Sequence, residues 1–158
     1  MKDLQGKMTR IAAGVVCAIF LIVSAGPVSA ACFSGPSGKK KEQILAELNR
    51  ERQKQGLPPL VCDGEVEDVA QGHADDMARR GYFDHYTPEG LAPTDRLDAA
   101  GVEYITYGEN IAWGDHTAKS VVSLWMGSPG HRANILDNYT GVGIGVSGNY
   151  YVLVFVRK

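Results

Sequence analysis

Apolar residues recur along this chain with two different periods. From about residue 42 to residue 136 they fall three and four apart, which lays them on one face of successive helices; from Val142 onward they alternate or run on continuously, as in strands. The first helix is expected to end near Gln55. Ile44, Leu45 and Leu48 lie on one side of it, Glu42, Glu47, Arg50, Glu51 and Lys54 mostly on the other, and Gly56 stops it. Leu57-Pro58-Pro59-Leu60 reads as a rigid connector. Asp63 then caps a second helix with the stripe Val66, Val69, Ala70, His73, Ala74 and Met77, and Gly81 is a terminator able to take a left-handed conformation. Pro93 to Ala100 forms a short helix with Leu97 inward and Arg96 free to pair, closed by Gly101. Residues 117 to 126 are helical with Val121, Val122 and Trp125 inward. Ser128 caps a further short helix, with Pro129 and His131 in its first turn.

Tyr104-Ile105-Thr106-Tyr107 is β-rich and feeds into Gly108-Glu109-Asn110-Ile111-Ala112, so Glu109 is expected where a strand ends. In the tail, Val142, Ile144 and Val146 alternate with Gly143 and Gly145, Gly148-Asn149 supplies a turn, and Tyr150 to Val156 is apolar at nearly every position. A strand without a polar face must be covered on both sides. The economical architecture is therefore α+β, a small, largely antiparallel sheet with helices on each face. Gly143 and Gly145 leave room on one face for a closely packed helix or a cavity. No internal repeat is present. Gly141-Val142-Gly143-Ile144-Gly145 lies in a strand and is no nucleotide loop.

The front of the chain follows neither period. Lys2, Lys7 and Arg10 precede an uncharged stretch from Ile11 to Gly38, and the apolar run Ile11 to Val23 is short for a bilayer span and broken by Gly26 and Pro27. That is the pattern of an export signal, residues 1–30, cut after Val28-Ser29-Ala30. An uncleaved anchor is the bland alternative, and lipidation at Cys32 another. Residues 31–41 read as an arm and 42–158 as one domain. Losing residues 1–30 removes three basic side chains and one acidic, moving the net charge from −2 to −4. A mildly acidic domain without a basic run gives no electrostatic case for nucleic acid, and no transmembrane span is expected after cleavage. Cys17 leaves with the signal. Cys32 and Cys62 remain, one disulfide by default in an oxidising compartment, or a free Cys62 if Cys32 is lipidated.

Candidate chemistry concentrates in three segments. His73 lies in a helical stripe, Glu109 beside a Gly that lets the backbone bend, and His131 within Ser128-Pro129-Gly130-His131-Arg132-Ala133-Asn134-Ile135-Leu136. Two imidazoles and one carboxylate suit a divalent metal or a proton-transfer centre. Each also has a plainer reading. His73 alone is a core imidazole bonded to a backbone carbonyl, Glu109 a surface acid, and His85, between Asp84 and aromatic neighbours, a loop anchor.

Asn49, Arg52 and Gly56-Leu57-Pro58-Pro59-Leu60, then Ala70, His73, Ala74, Asp76, Met77, Gly81, Phe83 and His85, then Gly108 to Ala112, Trp125 and Ser128 to Leu136 carry a resemblance. In order and spacing this set resembles the bacterial, SCP-like extracellular branch of the CAP superfamily, which includes cysteine-rich secretory, antigen 5 and pathogenesis-related 1 proteins. The resemblance covers about Lys41 to Arg157. It implies a three-layer α-β-α sandwich whose central cavity is lined by two His and one or two Glu, holding in some members a divalent ion such as zinc. On matching positions the cavity residues are His73, Glu109 and His131. Many members carry a second acid three residues after the tryptophan; here Ser128 stands there, so one carboxylate is missing. With three ligands at most, a metal would keep positions open to water.

The reading that follows is a secreted, extracellular or periplasmic binding module. It is more a holder than an enzyme, and an adjoining groove takes a lipid, a peptide or a cell-envelope component. The alternative is a zinc-assisted hydrolase with Glu109 as general base.

Overall fold

Asp63 and Gly81 bound the helix that organises this molecule, seen in a computed structural model that describes residues 32, 33 and 35–158. The expected export signal lies outside the described residues. Asp63 Oδ1 accepts from the Val66 backbone amide at the N-terminus, and Gly81 ends the helix at φ 70° while its amide bonds the Met77 carbonyl. Between them runs α2 (Gly64–Arg80). Before it come α1 (Gly38–Lys54) and the two-residue strand β1 (Val61–Cys62). After it come α3 (Pro93–Ala99), β2 (Thr106–Trp113), α4 (Ala118–Met126), α5 (Pro129–Leu136), β3 (Gly141–Ser147) and β4 (Tyr150–Arg157).

The strands form one sheet in the order β1-β3-β4-β2, antiparallel except for the β1–β3 pair. Successive β4 residues explain its continuous apolar run. Tyr151, Leu153 and Phe155 face a core with Ile44, Leu48, Val121, Trp125 and Ile135 of α1, α4 and α5, whereas Val152, Val154 and Val156 face Val66, Ala70, Met77 and Leu97 of α2 and α3. The result is the expected α-β-α sandwich. Fully burying each such aliphatic or aromatic side chain is worth roughly 1.5–3 kcal/mol.

Gly143 and Gly145 set the depth at which α2 lies on the sheet. A Cβ on Gly143 would stand 2.2 Å from the Val66 carbonyl, and one on Gly145 2.2 Å from that of Ala70. No side chain fits at either position while α2 stays where it is.

Three features depart from the sequence expectation. β1 arises in the segment after the Leu57–Leu60 connector, because the Val61 and Asp63 amides bond the carbonyls of Thr140 and Val142. Glu109 lies inside β2 instead of at its end. The strand continues to Trp113 because β4 pairs with it along its whole length. Glu67 and Lys41, polar residues in amphipathic helices, are both buried. They pair at 3.0 Å beside the Cys32–Cys62 disulfide, and the Phe33 amide also bonds the Glu67 carboxylate. The arm is thus pinned to the domain by a covalent bond and a shared buried carboxylate.

Candidate functional site

β2 is an edge strand, and an unpaired edge leaves carbonyls and amides to satisfy. Here the far side is closed by side chains. The Tyr107 carbonyl accepts from Tyr139 Oη at 2.7 Å, that of Glu109 from Asn134 Nδ2 at 3.2 Å, and that of Ile111 from Trp125 Nε1 at 3.1 Å. Asn134 Nδ2 also reaches Asn110 Oδ1 at 2.9 Å, and Asn110 Nδ2 donates to the His131 carbonyl at 3.0 Å. A Cβ on Gly108 would crowd this closure, standing 2.8 Å from Tyr139 Oη and 3.0 Å from Asn134 Oδ1. The Gly-Glu-Asn-Ile and His-Arg-Ala-Asn segments therefore lock together through their amides. That lock fixes where Glu109 and His131 stand.

The Glu109 side chain shares a strand face with Ile111, toward α2 and α3, and is 2 % exposed. Both its oxygens are taken. Arg96 Nη2 of α3 donates to Oε2 at 2.6 Å and His85 Nδ1 to Oε1 at 2.8 Å. Arg96 Nη1 bonds the carbonyls of His85 and Leu91 at 3.0 and 3.2 Å, so one guanidinium holds the acid and both ends of the loop above it. Its Nε is buried without a partner among the described residues. The His85 side chain remains 43 % exposed, and its second nitrogen, Nε2, has no bond among the described residues. The bond to Glu109 holds the imidazole above its usual pKa, against an opposing effect of burial.

His73 is buried, and its Nε2 donates to the Asp84 carbonyl at 3.0 Å. Nδ1 lies 3.5 Å from Tyr82 Oη, whose proton goes to Asp76 at 2.8 Å. Burial, and next the charge of Arg96, push its pKa down. The structure thus places His73 under the loop that carries His85, as a neutral support. His131 is half-buried, pushed below its usual pKa by burial and then by the neighbouring charge of His85. Ser128 precedes α5 at the N-cap position, but contrary to the sequence expectation its hydroxyl makes no capping bond, nor any other among the described residues. His85 rather than His73 makes the bond to Glu109. The sequence held one hint of this, an imidazole in a Gly-Tyr-Phe-Asp-His turn ahead of an Arg free to pair; the contact itself spans 24 residues.

On the other side of Arg96 a groove of about 580 Å³ runs between α2 and α3, walled by Val69, His73, Leu91, Arg96 and Ala100 and bridged at its rim by Arg80 and Glu89. It adjoins the Glu109 centre through Arg96, which lines the groove and bonds Glu109.

Residues 45–156 match the family model described as the cysteine-rich secretory protein family, CAP. The chain belongs to this family. Over 121 residues it is 41 % identical to the uncharacterized protein YkwD of Bacillus subtilis, covering 75 % of this chain and 47 % of YkwD. The SCP-domain extracellular protein of Bacillus anthracis superimposes with a TM-score of 0.74 at 34 % identity, over 79 % of this chain and 44 % of that one. An outer surface protein of Borrelia burgdorferi shares the fold, with a TM-score of 0.71 at 21 % identity over 77 % of this chain and 95 % of that one. The chain spans less than half the length of the curated relatives it matches.

For this CAP domain the divalent ion implied by the resemblance can be tested against the donors present. Among the described residues, the three-ligand cluster with its ligand atoms within 4.8 Å of one another is Cys32, Cys62 and Glu67, whose sulfurs are bonded to each other. His73, Glu109 and His131 form no such cluster. His73 spends one nitrogen on a backbone carbonyl, and Glu109 spends both oxygens on Arg96 and His85. As they stand, His73, Glu109 and His131 do not fit a two-His, one-Glu metal site.

Proposed function

We propose that this CAP domain is an exported, non-enzymatic binding module. It holds a polar group of its ligand against His85 and the Glu109–Arg96 pair, with His131 and Ser128 forming the neighbouring wall. The α2/α3 groove receives the apolar part of the same ligand, a lipid, a peptide or a cell-envelope component. Export is supported by the signal pattern in residues 1–30 and by relatives described as extracellular or outer-surface proteins. No helix among the described residues is long and apolar enough to cross a membrane.

One observation carries this reading. A buried carboxylate with both oxygens committed orients an imidazole that is 43 % exposed and whose other nitrogen has no bond among the described residues. Such an imidazole is preorganised to bond a ligand, since the pair that holds it is already assembled. The same contacts weigh against Glu109 as a hydrolytic base, because it would first have to be released from Arg96 and His85.

Native mass spectrometry of protein collected from culture medium tests the reading, comparing wild type with His85→Ala. The expected result is a bound species on wild type that His85→Ala loses. An identical load on both proteins would overturn the assignment.

A further inference from the structure

The site as proposed above leaves open what charge its ligand carries, and Arg96 answers that. A metal ion bound to Glu109 would sit about 2.0–2.2 Å from a carboxylate oxygen. Arg96 Nη2 already stands 2.6 Å from Oε2, in surroundings where the two side chains are 11 % and 2 % exposed. An arginine does not shed its proton to make way. Nor can this one simply swing aside, because Nη1 is fastened to the carbonyls of His85 and Leu91. The buried Nε without a partner points the same way. The guanidinium is oriented by Glu109 and the two carbonyls even at the cost of one unmet donor.

We propose that Arg96 is a built-in counter-cation that keeps divalent metal off Glu109 and so makes this domain select a hydrogen-bonding group, uncharged or anionic, in place of a metal ion. The proposal rests on the reading of the His85–Glu109 centre as the binding site. It makes Arg96 a specificity-determining residue. Glu109, freed of the guanidinium, still aligns His85 through Nδ1. What changes is Oε2, the oxygen that Arg96 Nη2 now occupies, which is left open as a ligand atom. Removing one side chain therefore turns a metal-excluding centre into a metal-accepting one.

The test is a zinc titration by calorimetry of the purified full-length protein, run on wild type, Arg96→Met, Arg96→Lys and Arg96→Met/Glu109→Gln, with circular dichroism to confirm the fold. Arg96→Met is expected to bind zinc about tenfold tighter than wild type or better, in line with the leverage of groups around a metal ligand. Arg96→Lys, which keeps the charge, should show no gain, and the added Glu109→Gln should erase it. Equal zinc affinity in wild type and Arg96→Met would overturn the proposal, as would a gain that survives Glu109→Gln. If Arg96→Met does not fold, wild type is compared with Glu109→Gln: zinc binding by wild type that Glu109→Gln abolishes would overturn the proposal, and its absence supports it. The binding-module reading fails separately, on ligand load in His85→Ala, whatever zinc does.

Discussion

Arg52 and Arg96 are both arginines that reach backbone carbonyls from inside the molecule, yet they are satisfied in opposite ways. Arg52, 1 % exposed on α1, donates to the carbonyls of Pro58, Ile135, Asp137 and Tyr139 and hydrogen-bonds no carboxylate among the described residues. It ties the first helix to the chain between α5 and β3, and all three of its nitrogens are used. Arg96 meets two carbonyls and the carboxylate of Glu109, leaves Nε unmet, and borders both a groove and a half-exposed imidazole. A cation whose hydrogen bonds all go to fixed carbonyl dipoles is architecture. One that neutralises an acid beside open space controls what that acid can do.

The contrast breaks most sharply under mutation. Arg52→Met leaves four carbonyls facing an apolar side chain, and unpaired buried acceptors are expensive, so unfolding in urea should show a loss of about 3–5 kcal/mol. Arg52→Lys should recover little of it, since one ammonium cannot span the fork. Arg96→Met should cost less, about 2–3 kcal/mol by the same measurement, because His85 still pairs with Glu109 when the guanidinium is gone. Equal losses for the two would show that Arg96 is architecture as well. His85→Ala removes a partner that is nearly half exposed, where solvent screens the pair, and should cost no more than about 1 kcal/mol while changing ligand load.

The smallest effect is the most diagnostic, and it appears as pH dependence. His85 has a folded pKa above the unfolded value near 6.5, so the stability it adds is complete below that value and lost as pH rises through the folded pKa. His73 and His131 are shifted down, by burial first, so their neutral forms belong to the native state. Their contribution is lost as pH falls from about 6.5 toward the folded pKa. Imidazole proton resonances followed by NMR should show His85 titrating above His73 and His131. The reverse order would mean that Glu109 does not hold His85 in solution.

Much of this was readable beforehand where the cause is local. Asp63 caps α2 and Gly81 ends it through bonds within a turn or two, and Gly148-Asn149 joins β3 to β4 as the turn chemistry requires. The chemistry of the site was not readable in this way. His73 and His85 are separated by the last two turns of α2 and the start of the loop after it, and both stand near acids and aromatics along the chain. Which of them reaches Glu109 depends on how the segment after α2 folds back over β2, with Arg96 drawing it down.

The sequence by itself determined the helices, the two long strands, the need to cover β4 on both faces and the close fit that Gly143 and Gly145 allow, because period, caps and side-chain size act over a few residues. Only the tertiary structure decided that Glu67 and Lys41 are buried together, that β2 closes its free edge with Tyr139, Asn134 and Trp125, and that an arginine neutralises Glu109. Those are pairings of charges and hydrogen bonds across distant segments. Their partners are chosen by which groups burial strips of water, and no spacing along the chain encodes that.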